Sequence, residues 1–142
     1  MKLGTFAIIF DEDKRVLISL RNDYDLWNLP GGGVEAGESP WEGVIREARE
    51  ETGLEAEIIR LSGVYFKPDK DELCLVFICK IVGGELQLTA EAREHKYVLP
   101  DEIPRNFPPH QRERVFDALS NDIVFKIQKG PSSIELLKQG KL

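Results

Sequence analysis

The sequence predicts an α/β domain of the α+β kind, a mixed sheet with helices packed on it, and three observations predict it. Short runs rich in β-branched and alternating apolar residues recur at 5–10, 15–20, 55–66 and 72–82, the period and composition of strands. Between them a glycine triplet, Gly31-Gly32-Gly33, feeds a segment with the capping and apolar spacing of one amphipathic helix. A second helix can start at Pro108-Pro109, since proline suits the first helical turn. With 142 residues, 42% of them hydrophobic and 31% charged, the chain has enough material for one core and too little for a second full domain.

Taken in order, Thr5–Phe10 and Arg15–Leu20 flank the polar Asp11-Glu12-Asp13-Lys14 and read as a hairpin. Arg21 then fits two roles equally, a solvated charge at a strand end or a phosphate contact. Asn22–Asp25 is a loop, and Leu26–Pro30 an extended approach to the glycines, because Pro30 biases Leu29 away from helix. Ser39, Pro40 and Glu42 form an N-cap, a first-turn proline and a capping box, and Gly53 closes the helix. Glu55–Phe66 is a strand, bent near Ser62-Gly63, Pro68–Asp71 a loop, and Glu72–Val82 a strongly apolar strand. Gly83-Gly84 is a turn, Glu85–Leu88 a further strand, and Thr89–Lys96 a polar loop carrying Glu91 and Glu94. Tyr97–Leu99 returns to the sheet, and the second helix runs to about Leu119 with Val115, Phe116 and Leu119 inward. Residues 1–120 then form the domain and 121–142 an extension. The extension has an apolar alternation at Ile123, Phe125 and Ile127 that should pack on the domain or on a second subunit, and a short helix from Ser132.

The chemistry is concentrated in the first helix. At ~100° per residue, Trp41, Val44, Ile45, Ala48 and Thr52 fall on one stripe, and Gly43, Glu47, Glu50 and Glu51 on the other. Solvation alone would put charges on an outward face. The order of these charges argues for more: Glu47, Glu50 and Glu51 are like-charged i, i+3 and i+4 neighbours, and the last two sit near the helix C-terminus, where the macrodipole disfavours anions. A hard divalent cation removes both penalties, and Gly43 on that face would leave room for a phosphate group.

The stretch from Gly32 through Glu38 to Arg46-Glu47-Ala48-Arg49-Glu50-Glu51-Thr52-Gly53-Leu54 resembles the box of the Nudix family, Gly-x5-Glu-x7-Arg-Glu-U-x-Glu-Glu-x-Gly-U with U a bulky aliphatic. All seven fixed positions match, and Ala48 at the first U is a smaller apolar residue on the buried stripe. The resemblance extends through about residue 120 and implies an α/β/α sandwich with the box helix on one side of the sheet and the second helix on the other. It implies Mg²⁺ or Mn²⁺ held by Glu50, Glu51 and the Gly31 carbonyl, with Glu47 as a further ligand or the base that activates water. Arg46 would orient the carboxylates and Glu38 brace the loop, while Arg21 and the backbone of Gly32 and Gly33 would face the substrate. An acidic residue from the later loop joins such sites; Glu91 and Glu94 both qualify, and the loop position favours Glu91.

The implied reaction is hydrolysis of a phosphoanhydride in a nucleoside diphosphate linked to another group, a dNTP, a modified dNTP or ADP-ribose. The box begins near residue 32, as in compact MutT-like members, and Trp27, Tyr24, Tyr65, Phe66 and Phe107 are the aromatics near the expected site for a base. A non-catalytic binding module on the same fold is the alternative, set against the retention of every box carboxylate. His95 and His110 suit ordinary surface roles, His95 with a lesser case as a general base. A net charge of −6 gives no footprint for nucleic-acid polymers or anionic membranes, and a polyanionic substrate would be repelled without a metal. Cys74 and Cys79 lie five apart in a strand, facing opposite sides as buried hydrophobes. With no apolar segment of spanning length and no signal-peptide pattern, the expectation is a soluble cytoplasmic protein, with a homodimer as one possible assembly.

Overall fold

A computed structural model describes all residues, 1–142. Eight strands and three α-helices follow one another: β1 (Lys2–Ile9), β2 (Val16–Arg21), β3 (Trp27–Asn28), β4 (Gly31–Gly33), α1 (Pro40–Thr52), β5 (Leu54–Lys67), β6 (Glu72–Gly84), β7 (Ala92–Val98), α2 (Pro109–Asp117), β8 (Val124–Ile127) and α3 (Ser133–Lys138). They form a mixed five-stranded sheet in the order β4-β1-β6-β5-β8 and a three-stranded antiparallel sheet in the order β3-β2-β7.

Strand alternation divides the core in two. In β1, Ala7 and Ile9 turn to one face and Ile8 to the other; in β6, Phe77 and Cys79 oppose Val76 and Ile78. The first face packs on Val44 and Ala48 of α1. The second packs on Phe107, on Val115 of α2, and on Val16, Ile18 and Trp27 of the smaller sheet. The molecule is thus a sandwich with helices on both sides of a mixed sheet. Cys74 and Cys79 are free, buried and in different halves of the core.

Several expectations need correction. β1 and β2 are no hairpin: they belong to separate sheets and meet only at a Phe10–Val16 bridge beyond the turn. The β6 strand replaces β2 as the neighbour of β1, in parallel register, because its long apolar run can be covered on both faces. The glycine triplet is extended edge strand β4, antiparallel to β1, where a loop was expected. Residues 85–88 form no strand; Gln87 N donates to the Thr52 carbonyl, using that segment to finish the end of α1. Much of the expected 89–96 loop is β7, pinned along β2.

Helix faces also differ in detail. Trp41 is 58% exposed, although the Pro40 carbonyl beside it accepts from Thr5 Oγ1 of β1, while Val44 and Ala48 are buried as expected. In α2 Val115 is buried, but Phe116 is exposed and Arg114 points inward; the helix stops at Asp117, and Leu119 in the turn beyond it is exposed as well. The bend in β5 is a register shift between Leu61 and Gly63. β8 pairs in parallel with β5, so the tail completes the sheet edge, yet Phe125 and Ile127 face outward at 76% and 65% exposure.

Candidate metal and phosphate site

α1 is held in place at both ends. Ser39 and Glu42 form the reciprocal capping box, and Gly53 at φ 79° ends the helix with its N–H on Arg49 O. This fixes Glu47 and Glu51 one turn apart on the side of α1 that faces β4. Gly31 N donates to Glu51 Oε2 at 2.9 Å. A Cβ on Gly32 would lie 2.8 Å from Glu47 Oε1, and one on Gly31 would drive into the Thr5 carbonyl, so these two positions are glycine because backbone and carboxylates share the space, whereas a Cβ on Gly33 would meet nothing.

Arg46 organises the outer side. Its Nε and Nη2 grip Glu38 at 2.6 and 2.9 Å, Nη1 reaches Glu47 at 3.2 Å and Glu50 at 3.0 Å, and Nη2 also donates to Gly33 O at 3.2 Å. The Arg46 hydrogen bonds hold the Glu38 carboxyl below the usual carboxylate range, and the same bonds raise the arginine's own pKa. Glu38 in turn accepts from Glu35 N, which braces the loop ahead of the helix. The space beside Gly43 is filled by Glu38 and Thr5, correcting the expectation that it would admit a phosphate.

The third carboxylate arrives from the loop before β7. Thr89 Oγ1 donates to Glu51 O and accepts from Glu91 N and Ala92 N, while the Asn22 amide donates to the carbonyls of Thr89 and Ala90. Glu91 is thereby tied to the end of α1, and one oxygen from each of Glu47, Glu51 and Glu91 lies within 4.8 Å of the others. Burial, opposed by the Gly31 N–H and reinforced by Glu47 and Glu91, pushes the Glu51 pKa up to about 9. Burial raises Glu47 as well, against the pull of Arg46. Three close, mutually repelling carboxylates with hard oxygen donors fit a Mg²⁺-class cation, which would offset that repulsion.

Not every expected residue joins this cluster. Glu50 turns outward to Arg46, and Glu94 is exposed on β7 opposite Leu20. Arg21 lines the cleft but is gripped by Asp23 through two bonds of 2.8 and 2.7 Å. Trp27 is buried in the core with Lys96 Nζ 4.4 Å above its ring, and Tyr65 and Phe107 are likewise core residues. His95 bridges Ser19 Oγ and Gln87 O, and His110 contacts Lys129 O, so both have structural partners. The cleft, of about 520 Å³, is lined near the carboxylates by Gly31 and Gly32 and beyond them by Asn28, Gln111 and Phe6. Asn22, Thr89 and Gln111 carried no pattern in the sequence; only chain crossings give them their place.

A sandwich that presents clustered carboxylates beside a glycine edge strand, in an open polar cleft, defines a class of metal-assisted phosphoanhydride hydrolases. The chain belongs to the NUDIX domain family, whose pattern it matches over residues 1–118. It is 38% identical over 113 residues to a MutT-like protein of Streptomyces ambofaciens, covering 80% of this chain and 73% of that one. It is 33% identical over 141 residues to a Bacillus subtilis (strain 168) protein named provisionally as an 8-oxo-dGTP diphosphatase, covering 96% and 95% of the two chains. The crystal structure of an ADP-ribose pyrophosphatase from Streptococcus suis 89-1591 superposes with a TM-score of 0.77 at 28% identity, covering 89% of this chain and 98% of that one. No helix is long and apolar enough to cross a membrane.

Proposed function

We propose that this NUDIX pyrophosphatase cleaves the phosphoanhydride of a nucleoside di- or triphosphate derivative, with a dNTP or modified dNTP ahead of ADP-ribose. The observation that supports it best is the meeting of Glu47, Glu51 and Glu91 at one end of a cleft large enough for a nucleotide. These three side chains would hold Mg²⁺ or Mn²⁺, with the Gly31 backbone beside them. When bound, the metal neutralises charge on the diphosphate and lowers the pKa of water.

The protein's own groups do the remainder. Arg46 fixes the orientation of Glu47 and holds Glu50 ready on the outer side. Glu47, raised by burial and steadied by Arg46, is the candidate to accept a proton from attacking water. Arg21, close enough to exchange Asp23 for a phosphate, positions the anionic chain, while Asn28 and Gln111 offer amides for a base or sugar. Two free buried thiols suit a reducing, cytoplasmic setting. The outward apolar edge at Phe125 and Ile127 suits a homodimer contact.

The decisive experiment is a panel of dGTP, 8-oxo-dGTP, ADP-ribose, a dinucleoside polyphosphate and, as non-nucleotide diphosphates, inositol and isoprenoid pyrophosphates, with Mg²⁺ or Mn²⁺ and products separated by chromatography. A dNTP-class compound should show the highest kcat/KM. Turnover of only non-nucleotide diphosphates would refute the nucleotide assignment, and no turnover of any would restore the binding-module alternative.

A further inference from the structure

Beside the carboxylate cleft, and separated from it by Phe6 and Gln111, lies a second cavity of about 240 Å³ between β1, the start of α2 and the tail. Its ionisable lining consists of Lys67, His110, Arg114 and Lys129, with no carboxylate, in a protein whose net charge is −6. Local charge therefore runs opposite to the global charge.

Arg114 is the unusual member. It is 2% exposed, and its guanidinium carbon sits 5.1 Å from the ring centroids of both Phe6 and Tyr65. Its Nε and Nη2 donate to one neutral acceptor, Gln128 Oε1, at 3.1 and 2.9 Å, and Nη1 has no hydrogen-bond partner. No acid lies within ion-pair distance; Glu113 is one relay away, accepting from Gln128 Nε2 at 2.9 Å. A buried cation is costly unless it is paired with an opposite charge. Two aromatic faces offset part of that cost. At the rim Lys129 has no ion-pair partner, and Lys67 has only a 3.5 Å contact with Glu72. A forked guanidinium with a spare donor and no acid partner, flanked by two lysines of which only Lys67 touches a carboxylate, makes the chemistry of an oxyanion receptor.

We propose that this cavity binds a phosphate-class oxyanion, supplied either by a phosphoryl group of the substrate remote from the scissile diphosphate or by free phosphate. The partition formed by Phe6 and Gln111 is shared with the carboxylate cleft, so an anion seated on Arg114 adjoins a nucleotide bound there. Only the first of these sources rests on the hydrolase reading.

The test is run first without metal, in chelator-resin-treated buffer, so that phosphate cannot bind through a metal held in the carboxylate cleft. Inorganic phosphate should raise the melting temperature saturably, with half-saturation on the order of 1 mM, beyond sodium chloride of equal ionic strength. Removing the two rim charges together, Lys67→Gln with Lys129→Gln, should weaken that response at least about tenfold, since two charge-assisted contacts are lost. Lys80→Gln, at an exposed lysine paired with Glu57, should leave it unchanged. Arg114→Met should abolish the response; because this buried variant can fail to fold, the rim pair is the deciding comparison. Absence of a saturable phosphate effect, or equal loss in Lys80→Gln, overturns the proposal.

The second arm compares KM for ADP-ribose and its 2′-phosphorylated form with Mg²⁺. Preference for the phosphorylated compound that disappears in the rim pair assigns the cavity to the substrate's own phosphate. Equal KM values with phosphate binding intact assign it to free phosphate. Turnover without phosphate binding refutes the anion site and spares the hydrolase, whereas phosphate binding without turnover does the reverse.

Discussion

Replacing Glu51 by glutamine should stabilise the metal-free protein while destroying its response to metal. The amide keeps the shape of the side chain and an oxygen to accept from Gly31 N, but removes the charge that burial, Glu47 and Glu91 oppose. The Glu51 pKa is raised from 4.5 to about 9, so folding takes up a proton between those values. The contribution is fully present below pH 4.5 and is lost as pH rises toward 9. At about 1.4 kcal/mol per pH unit, the span from 4.5 to neutrality makes wild-type protein about 3 kcal/mol less stable relative to Glu51→Gln at pH 7 than at pH 4.5. For a domain of this size that is roughly a 10 °C change in the melting-temperature difference. Differential scanning calorimetry of both proteins in metal-free buffer between pH 4.5 and 8.5 reads it directly. The difference between variants cancels the titrating groups remote from Glu51 and reports Glu51 together with its coupled neighbours Glu47 and Glu91. Added Mg²⁺ should raise the wild-type melting temperature at pH 7.5 and leave Glu51→Gln unmoved. Melting temperatures that run parallel for the two proteins across this pH range would rule out a buried, charge-opposed Glu51.

Four further outcomes follow from the same geometry. Glu50→Gln should lose most activity and need more metal for half-maximal rate; unchanged steady-state kinetics and metal titration would leave Glu50 as a partner of Arg46 alone. Arg46→Lys keeps a charge but cannot serve Glu38, Glu47 and Glu50 from one planar fork, and kcat should fall about 10- to 100-fold with the melting temperature less affected. Gly32→Ala places a methyl 2.8 Å from Glu47 Oε1, so kcat should drop more than thermal stability does, as parallel calorimetry and kinetics would show. Truncation after Ser120 removes β8 and the Gln128 acceptor of Arg114, and should lower the melting temperature by several degrees; an unchanged value would mean the tail contributes nothing to the domain.

Local signals carried a good deal. The box helix, its two caps, the strand periods of β5 and β6 and the opposite facing of Cys74 and Cys79 all depend on neighbours a few residues apart, and the structure has them. Spacing alone also puts Glu47 and Glu51 on one side of α1. The failures share a cause, which is that pairing partners are chosen over long separations. Two adjacent apolar runs look like a hairpin, but burying β6 on both faces requires a neighbour such as β1. The exposure of Trp41 and the inward turn of Arg114 depend on what lies across from each helix. Neither follows from periodicity.

The helix, its acidic face and the reaction class that this face suits were all legible in the order of the residues. Which carboxylates meet was settled by packing. Glu50 and Glu51 are equivalent in a helical repeat to within one residue, yet Glu51 meets the Gly31 amide while Glu50 meets Arg46. Glu91 and Glu94 are three apart in the chain, yet only Glu91 is brought to the cluster, by a loop clamped to Asn22 and the end of α1. Periodicity fixes the direction of a side chain from its own backbone to within one turn. Distance between charges on different elements is set by how those elements pack, and electrostatic energy depends on that distance.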